Sequence, residues 1–474
     1  MTQTFLNRRS LLAVASLALP SVALARQPQA GPFRFASRKG QEADAERGFF
    51  EVPEDRRDPR SRRIRLGYVR FRSTAAKPGS PIVYLAGGPG GSGVDAATGP
   101  RFSIFMALRE VADVIAFDQR GVGLSAHIPE RPASTAPWPA LTHQGLTRWI
   151  RDETQKAWVD WTAAGVAMAG YNTEQSADDI DDLRRHLGAD KVSLWGLSYG
   201  SHLGLAVLKR HADVIDRVAL ASLEGLDQTV KRPAHIDAFM RRVDGVLGQD
   251  PAARAAIPDL PALMRRVHAR YEAKPVTLKI DGKDLTLGGF GIQMLASGMV
   301  ANPPSLSRLP GLYLALDAGR TEVLAPLLAG VGGLFTIGGM PEAMDLASGV
   351  SPGRLALIRA EAKTAVFGDA FNYPMPHLLG AIPRVDLGED FRASFKIDTP
   401  ALLVAGSLDG RTPLEEQAEV IAQFRNKAQV MVENAGHNVF EAHPGVQDLL
   451  VRFFRGEAVG DTTLKLPPPT FPLA

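Results

Sequence analysis

Short apolar runs recur along this chain, and stretches with helical spacing separate several of them. Phe49-Phe50-Glu51-Val52 and residues 64–72 alternate apolar and polar positions in the manner of an antiparallel pair, split by a turn-rich segment at 53–61. Residues 82–85 predict a buried strand that runs straight into Gly87-Gly88-Pro89-Gly90-Gly91-Ser92-Gly93. Residues 111–117 predict another, ending at Asp118-Gln119-Arg120-Gly121, and 128–145 read as a Pro-rich loop. The spacing predicts a helix over 173–187. Ser176-Ala177-Asp178-Asp179 has the form of a capping box, Ile180, Leu183 and Leu187 share one face, and Gly188 stops it. A strand at 192–195, a helix at 199–210 and a strand at 218–221 follow.

The rhythm then changes. Residues 225–397 carry mostly helical pattern and Gly/Pro loops, with a hairpin expected at 276–287 around Asp281-Gly282. Strand–helix alternation resumes with a strand at 401–405, a helix at 414–424, a last strand at 430–432 and a last helix at 445–454, before a Pro-rich tail at 464–474. Alternation at this spacing predicts an α/β protein with a mostly parallel sheet flanked by helices. The expected organisation is a loose arm at 26–47, a core at 48–224 and 398–474, and an inserted, mainly helical cap at 225–397. No internal repeat is found.

Composition narrows the classes. The chain is 45% hydrophobic and 22% charged, which supplies a core and excludes disorder as the main state. A formal charge of +3 is too mild to imply a nucleic-acid partner. With no cysteine, disulfides, thiolate metal sites, thiol nucleophiles and a cysteine-linked lipid anchor are excluded. Asn7-Arg8-Arg9-Ser10, an apolar run interrupted by Pro20, and Ala23-Leu24-Ala25 have the form of an export signal at 1–25. Arg8-Arg9 reads as a twin-arginine signal, with an ordinary secretory signal as the alternative. The run is too short to span a membrane, no later stretch reaches that length without charges, and a periplasmic or extracellular location is expected.

Gly196-Leu197-Ser198-Tyr199-Gly200 fits G-x-S-x-G, in which glycines permit a tight strand-to-helix turn that exposes a nucleophile. Gly349-Val350-Ser351-Pro352-Gly353 also fits, but Ser351 follows no strand and Pro352 has no N–H to donate. A nucleophilic serine needs a base and an orienting acid. In chain order these are Asp409, in Gly406-Ser407-Leu408-Asp409-Gly410-Arg411, and His437, in Asn434-Ala435-Gly436-His437-Asn438. Both follow strands, as Ser198 does. Asp398 precedes its strand and so faces the other sheet edge, while His443, before Pro444, reads as a capping or surface residue. The Gly88 to Gly93 loop matches both a dinucleotide fingerprint and an oxyanion loop. The second reading also accounts for Ser198, Asp409 and His437, and makes the N–H groups of Gly88 and Tyr199 the oxyanion donors.

Taken in order, these motifs resemble the α/β-hydrolase serine peptidases that include prolyl iminopeptidase and the secreted tripeptidyl aminopeptidases. Asp118-Gln119-Arg120-Gly121-Val122-Gly123-Leu124-Ser125, Tyr171-Asn172-Thr173 and Thr412-Pro413 belong to the same set. The resemblance covers about 48–225 and 395–456, the expected core. Its implications are an α/β-hydrolase fold, an aminopeptidase releasing proline or a short peptide from an N-terminus, and no metal or cofactor. Ala86 stands where prolyl iminopeptidases usually have His. Such enzymes hold the substrate's free amine, and Glu224 is the candidate carboxylate for it. Asp118 and Arg120 read as supports of the Gly88 loop. A peptide or small ester is the expected partner, and nothing calls for an obligate protein partner. The alternatives are an esterase with the same triad, a non-catalytic binding protein of this fold and, more distantly, a dinucleotide-binding oxidoreductase.

Overall fold

Ten strands form one twisted sheet, and the computed structural model describes residues 29–131, 137–382 and 385–473 of the chain. In chain order the strands are β1 (Gly31–Ala36), β2 (Glu42–Pro53), β3 (Arg63–Phe71), β4 (Ile82–Leu85), β5 (Val114–Asp118), β6 (Val192–Leu197), β7 (Ile215–Ala221), β8 (Val276–Ile280), β9 (Lys283–Leu287), β10 (Ala401–Gly406), β11 (Lys427–Glu433) and β12 (Thr462–Lys465). The sheet order is β1-β2-β3-β5-β4-β6-β7-β10-β11-β12, while β8 and β9 pair separately as the expected hairpin. The first three strands are antiparallel, and β5 onward is parallel throughout.

The parallel strands are nearly all apolar because both sheet faces are covered. Side chains alternate between the faces. Val83, Leu85, Ile115, Phe117 and Leu194 join one core, against the helices Thr173–His186 and Tyr199–His211. Tyr84, Val114, Ala116 and Trp195 join the other, against the helices Phe102–Leu108 and Pro444–Phe454.

Four expectations are corrected. The described part of the expected loose arm at 26–47, residues 29–47, is ordered: it carries β1 and the start of β2, whose Ala43 and Ala45 face the core with Phe35, an alternation weakened by small residues. The Pro-rich tail contains β12, which pairs with β11 through Val430–Glu433 and is mostly exposed, so hydrophobicity does not mark it. The helix at 173 is capped by Asn172, whose side chain accepts from the Gln175 N–H, and Ser176 is buried inside it. Finally, a helix at His143–Ala163 stands where a Pro-rich loop was expected to run to 145. Leu146, Ile150, Thr154, Ala157 and Trp161 form its buried stripe.

Between β7 and β10 the chain builds helices with an apolar core of their own, centred on Phe239, Met264, Val267, Tyr313 and Leu316. Leu141 and Leu146, from before β6, join that core. The proposed export segment at 1–25 lies outside the described residues.

Candidate active site

Ser198, Asp409 and His437 each follow the carboxyl end of a parallel strand, β6, β10 and β11 respectively, so one sheet edge gathers them. Gly88 follows β4 and Glu224 follows β7 at the same edge. Asp398 precedes β10, at the other edge, and is an exposed partner of Arg425 at 3.2 Å.

Ser198 has φ 58° and ψ −127°, a backbone conformation that side chains other than glycine rarely adopt. The flanking glycines make it attainable. A Cβ on Gly196 would lie 2.6 Å from the Gly200 carbonyl oxygen, and one on Gly200 would overlap the carbonyl of Leu85. A Cβ on Gly87 would lie 3.1 Å from Ser198 Cβ, so the glycine loop runs directly against the serine. Tyr199 opens the following helix, where first-turn N–H groups lack intrahelical acceptors. Gly88 has φ +126°, and its loop folds back through the Gly91 N–H to the Gly87 carbonyl at 3.0 Å.

His437 Nδ1 lies 3.0 Å from each Asp409 carboxylate oxygen. Asp409 is fully buried and also accepts from the Thr412 hydroxyl at 2.7 Å and from the N–H groups of Arg411 and Thr412. Burial by itself would raise this carboxyl. The His437 ring, and after it Thr412, hold it below the usual carboxylate range. The His437 loop is clamped on both sides: Ser222 Oγ donates to its carbonyl at 2.8 Å, and its N–H donates to the Ala301 carbonyl at 2.7 Å. Val300 accepts from the Gly410 N–H at 3.2 Å, so one turn of the cap supports both the acid and the base loop.

The decoys have other tasks. Ser351 caps the helix Pro352–Glu361 and donates to Asp227 at 2.5 Å. His443 caps the helix Pro444–Phe454 through Nδ1. Asp118 does support the glycine loop, accepting from the Ser92 hydroxyl at 2.6 Å and the Val94 N–H at 3.1 Å. Arg120 does not: it is fully buried against Asp179, with two bonds of 2.8 Å, and donates to the carbonyls of Glu54 and Gly170.

Ser198 opens on a cavity of about 300 Å³ that is also lined by Gly88, Glu224, Lys231, Asp345 and Arg411. The segment Phe371, Asn372, Tyr373, Pro374 and Met375 forms another part of its wall. Glu224 reaches the cavity but is paired with Lys231 at 3.0 Å. The side chain of Asp345, on the cap helix Met340–Ser348, has no hydrogen-bond or ion-pair partner among the described residues. Burial, and then the Glu224 carboxylate, push its carboxyl well above the usual range. Arg411 remains accessible because it faces the cavity, although protein crowds its flanks. Burial lowers its guanidinium pKa against the pull of Glu224, Asp409 and Asp345. Sequence reasoning missed Asp345, Lys231 and the Phe371 wall. Only Arg411, two residues beyond Asp409, carried a local signal.

Comparison with known proteins agrees with this architecture. A family model described as alpha/beta hydrolase fold matches residues 80–257, and one described as TAP-like protein matches 383–462. The chain has the α/β-hydrolase fold over the matched part. The chain is 27% identical over 189 residues to a tripeptidyl aminopeptidase of Streptomyces coelicolor, covering 37% of this chain and 34% of that protein. It is 31% identical over 219 residues to the serine protease Hip1 of Mycobacterium tuberculosis, covering 42% and 38%. The matched part thus spans little more than a third of the length of these curated relatives. A solved proline iminopeptidase from Mycobacterium smegmatis aligns at 15% identity and a TM-score of 0.42, covering 86% of this chain and 98% of that one. Serine peptidases are thus among the proteins to which the chain is similar.

Proposed function

We propose that this hydrolase is an exported aminopeptidase that releases proline or a short peptide from a free N-terminus. The observation carrying the reading is that Ser198, on its positive-φ turn, shares a cavity with the unpartnered carboxylate of Asp345. A partly buried carboxyl with no paired cation is suited to a substrate ammonium, whose charge favours its ionised form. Glu224 stands beside it with its charge already met by Lys231, so Asp345 takes the larger share.

In this mechanism Ser198 Oγ attacks the carbonyl carbon, and His437 takes its proton and then passes it to the leaving amine. Asp409 holds Nδ1 and stabilises the imidazolium. The N–H groups of Gly88 and Tyr199 stabilise the oxyanion, a contribution of about 2.7–4 kcal/mol per donor at comparable sites. Water then cleaves the acyl-enzyme. Residues 1–25 direct export. No helix among the described residues is long and apolar enough to cross a membrane.

The test is hydrolysis of Pro-, Ala- and tripeptide-anilides, free and N-acetylated, by wild type and Ser198→Ala. Cleavage of the free substrates alone, abolished by the substitution, is expected. Ser198-dependent hydrolysis confined to short nitrophenyl esters would move the function to an esterase.

A further inference from the structure

A second cluster of chemistry-bearing side chains lies in the cap, outside the cavity of Ser198. His143 Nε2 stands 3.3 Å from Asp369 Oδ2, and His377 Nε2 stands 3.6 Å from the same oxygen. The three ligand atoms lie within 4.8 Å of one another. Tetrahedral zinc with bonds of about 2.0–2.1 Å to nitrogen and oxygen sets its ligand atoms roughly 3.3–3.4 Å apart. The spacing is therefore close to a coordination shell before any side chain moves.

An independent observation concerns His377. Its side chain is 5% exposed, and its Nε2 is buried with no hydrogen-bond partner among the described residues. An orphaned buried nitrogen is costly unless something occupies it. The other ring nitrogen, Nδ1, is hydrogen-bonded to the Thr147 hydroxyl at 3.0 Å. That is how proteins orient a metal-binding imidazole: an outer partner fixes one nitrogen and leaves the lone pair of the other directed at the ion. The remaining position opens to solvent beside His143, which is half exposed and gives an ion its entry path.

We infer that His143, Asp369 and His377 bind a divalent transition-metal cation of the Zn²⁺ class. Two imidazoles and one carboxylate suit such an ion and not Mg²⁺ or Ca²⁺, which take oxygen ligands. The other charged groups lining this cavity are Arg151, Arg359 and Lys363. Arg151 is committed to the carbonyls of His377 and Leu379 at 2.8 and 2.9 Å. The other two cations weaken the affinity and favour hydroxide or another anion as the fourth ligand. A rival cluster, His235, Glu416 and Glu419, already holds a cation: Arg354 pairs with both glutamates.

The site ties together two elements distant in the chain. His143, Thr147, Arg151 and Gln155 recur every fourth residue on one helix, and the last three grip the segment from His377 to Ala381. Asp369 and His377 bracket the residues Phe371 to Met375 that wall the Ser198 cavity. A bound ion pins both ends of that wall to the helix.

The experiment is calorimetric titration of the untagged, metal-stripped chain with Zn²⁺, together with Co²⁺ absorption and thermal melts. One equivalent of Zn²⁺ is expected to bind and raise Tm, with Mg²⁺ inert. Co²⁺ is expected to give visible d–d bands of a nitrogen/oxygen site. Affinity is expected to fall at least tenfold in His143→Ala and in Asp369→Asn, and to be retained in His437→Ala. His377→Ala empties a buried site and is at risk of misfolding, so the half-exposed His143 decides the matter. No stoichiometric binding, or binding unchanged in His143→Ala and Asp369→Asn, would overturn the assignment. None of these readouts depends on the peptidase reading.

Discussion

His437 presents Nδ1 to both oxygens of the Asp409 carboxylate at 3.0 Å, while Thr412 and two backbone N–H groups hold that carboxylate in place. The ring is thereby committed to one orientation, with Nε2 turned away from Asp409. Asp409→Asn replaces an acceptor pair with an amide that favours the wrong tautomer. A fall in kcat of about 10⁴-fold is expected, as at comparable triads. Activity within tenfold of wild type would remove Asp409 from the mechanism.

Gly87 is expected to be as sensitive as a residue that does chemistry. A methyl group there would lie 2.9 Å from the Leu197 carbonyl oxygen and 3.1 Å from Ser198 Cβ, so either the loop or the serine must shift. Gly87→Ala should lower kcat/KM about 100-fold, the scale of a misplacement near 1 Å. Fluorophosphonate labelling should slow in parallel.

Asp345 should trade stability for function. Its carboxyl is held well above the usual range by burial and by Glu224. A group that keeps its proton longer when folded destabilises the fold as pH rises above its unfolded pKa of about 3.9. Asp345→Asn is therefore expected to leave Tm unchanged below about pH 4 and to raise it by roughly 2–4 °C at pH 8. The same variant should lose preference for free over N-acetylated substrates. A melt at pH 8 that drops instead would contradict the assigned direction.

Lys231 and Glu224 form a largely buried pair at 3.0 Å, with side-chain exposures of 10% and 11%. Lys231→Met leaves a carboxylate unpaired and should cost about 3–5 kcal/mol in urea unfolding. The double variant Lys231→Met/Glu224→Gln should recover a substantial part of that loss. Additive losses would show that the two residues do not act as a pair.

Ser351→Ala separates the two G-x-S-x-G motifs. Removing the cap and its bond to Asp227 should cost about 1 kcal/mol of stability and leave labelling intact. Ser198→Ala should abolish labelling with the fold retained.

Much of this architecture is written in local pattern. Residues 82–85 and 192–195 are apolar enough to be read as buried strands, and the Asp281-Gly282 turn marks its hairpin because both residues adopt positive φ. The elements that escaped are those whose partners supply the signal. β1 and β12 are edge strands whose exposed alternation carries little hydrophobic contrast. The helix His143–Ala163 hides its apolar stripe among polar residues that grip the cap.

The site divides along the same line. Ser198, Asp409 and His437 were legible because each obeys a local rule, a tight glycine turn or a loop just past a strand, and parallel pairing then brings those loops to one edge. Asp345, Lys231, the turn at Val300 and Ala301 and the His143–Asp369–His377 cluster follow no such rule. They are brought together across long stretches of sequence, Asp345 beside Glu224 and His143 beside Asp369, through the packing of the cap onto the sheet. By itself the sequence determined the sheet and which loops, those of Ser198, Asp409 and His437, gather at one of its edges. Only the tertiary structure decided which charges face the serine, because contacts between distant segments depend on how two cores dock and not on the spacing within either.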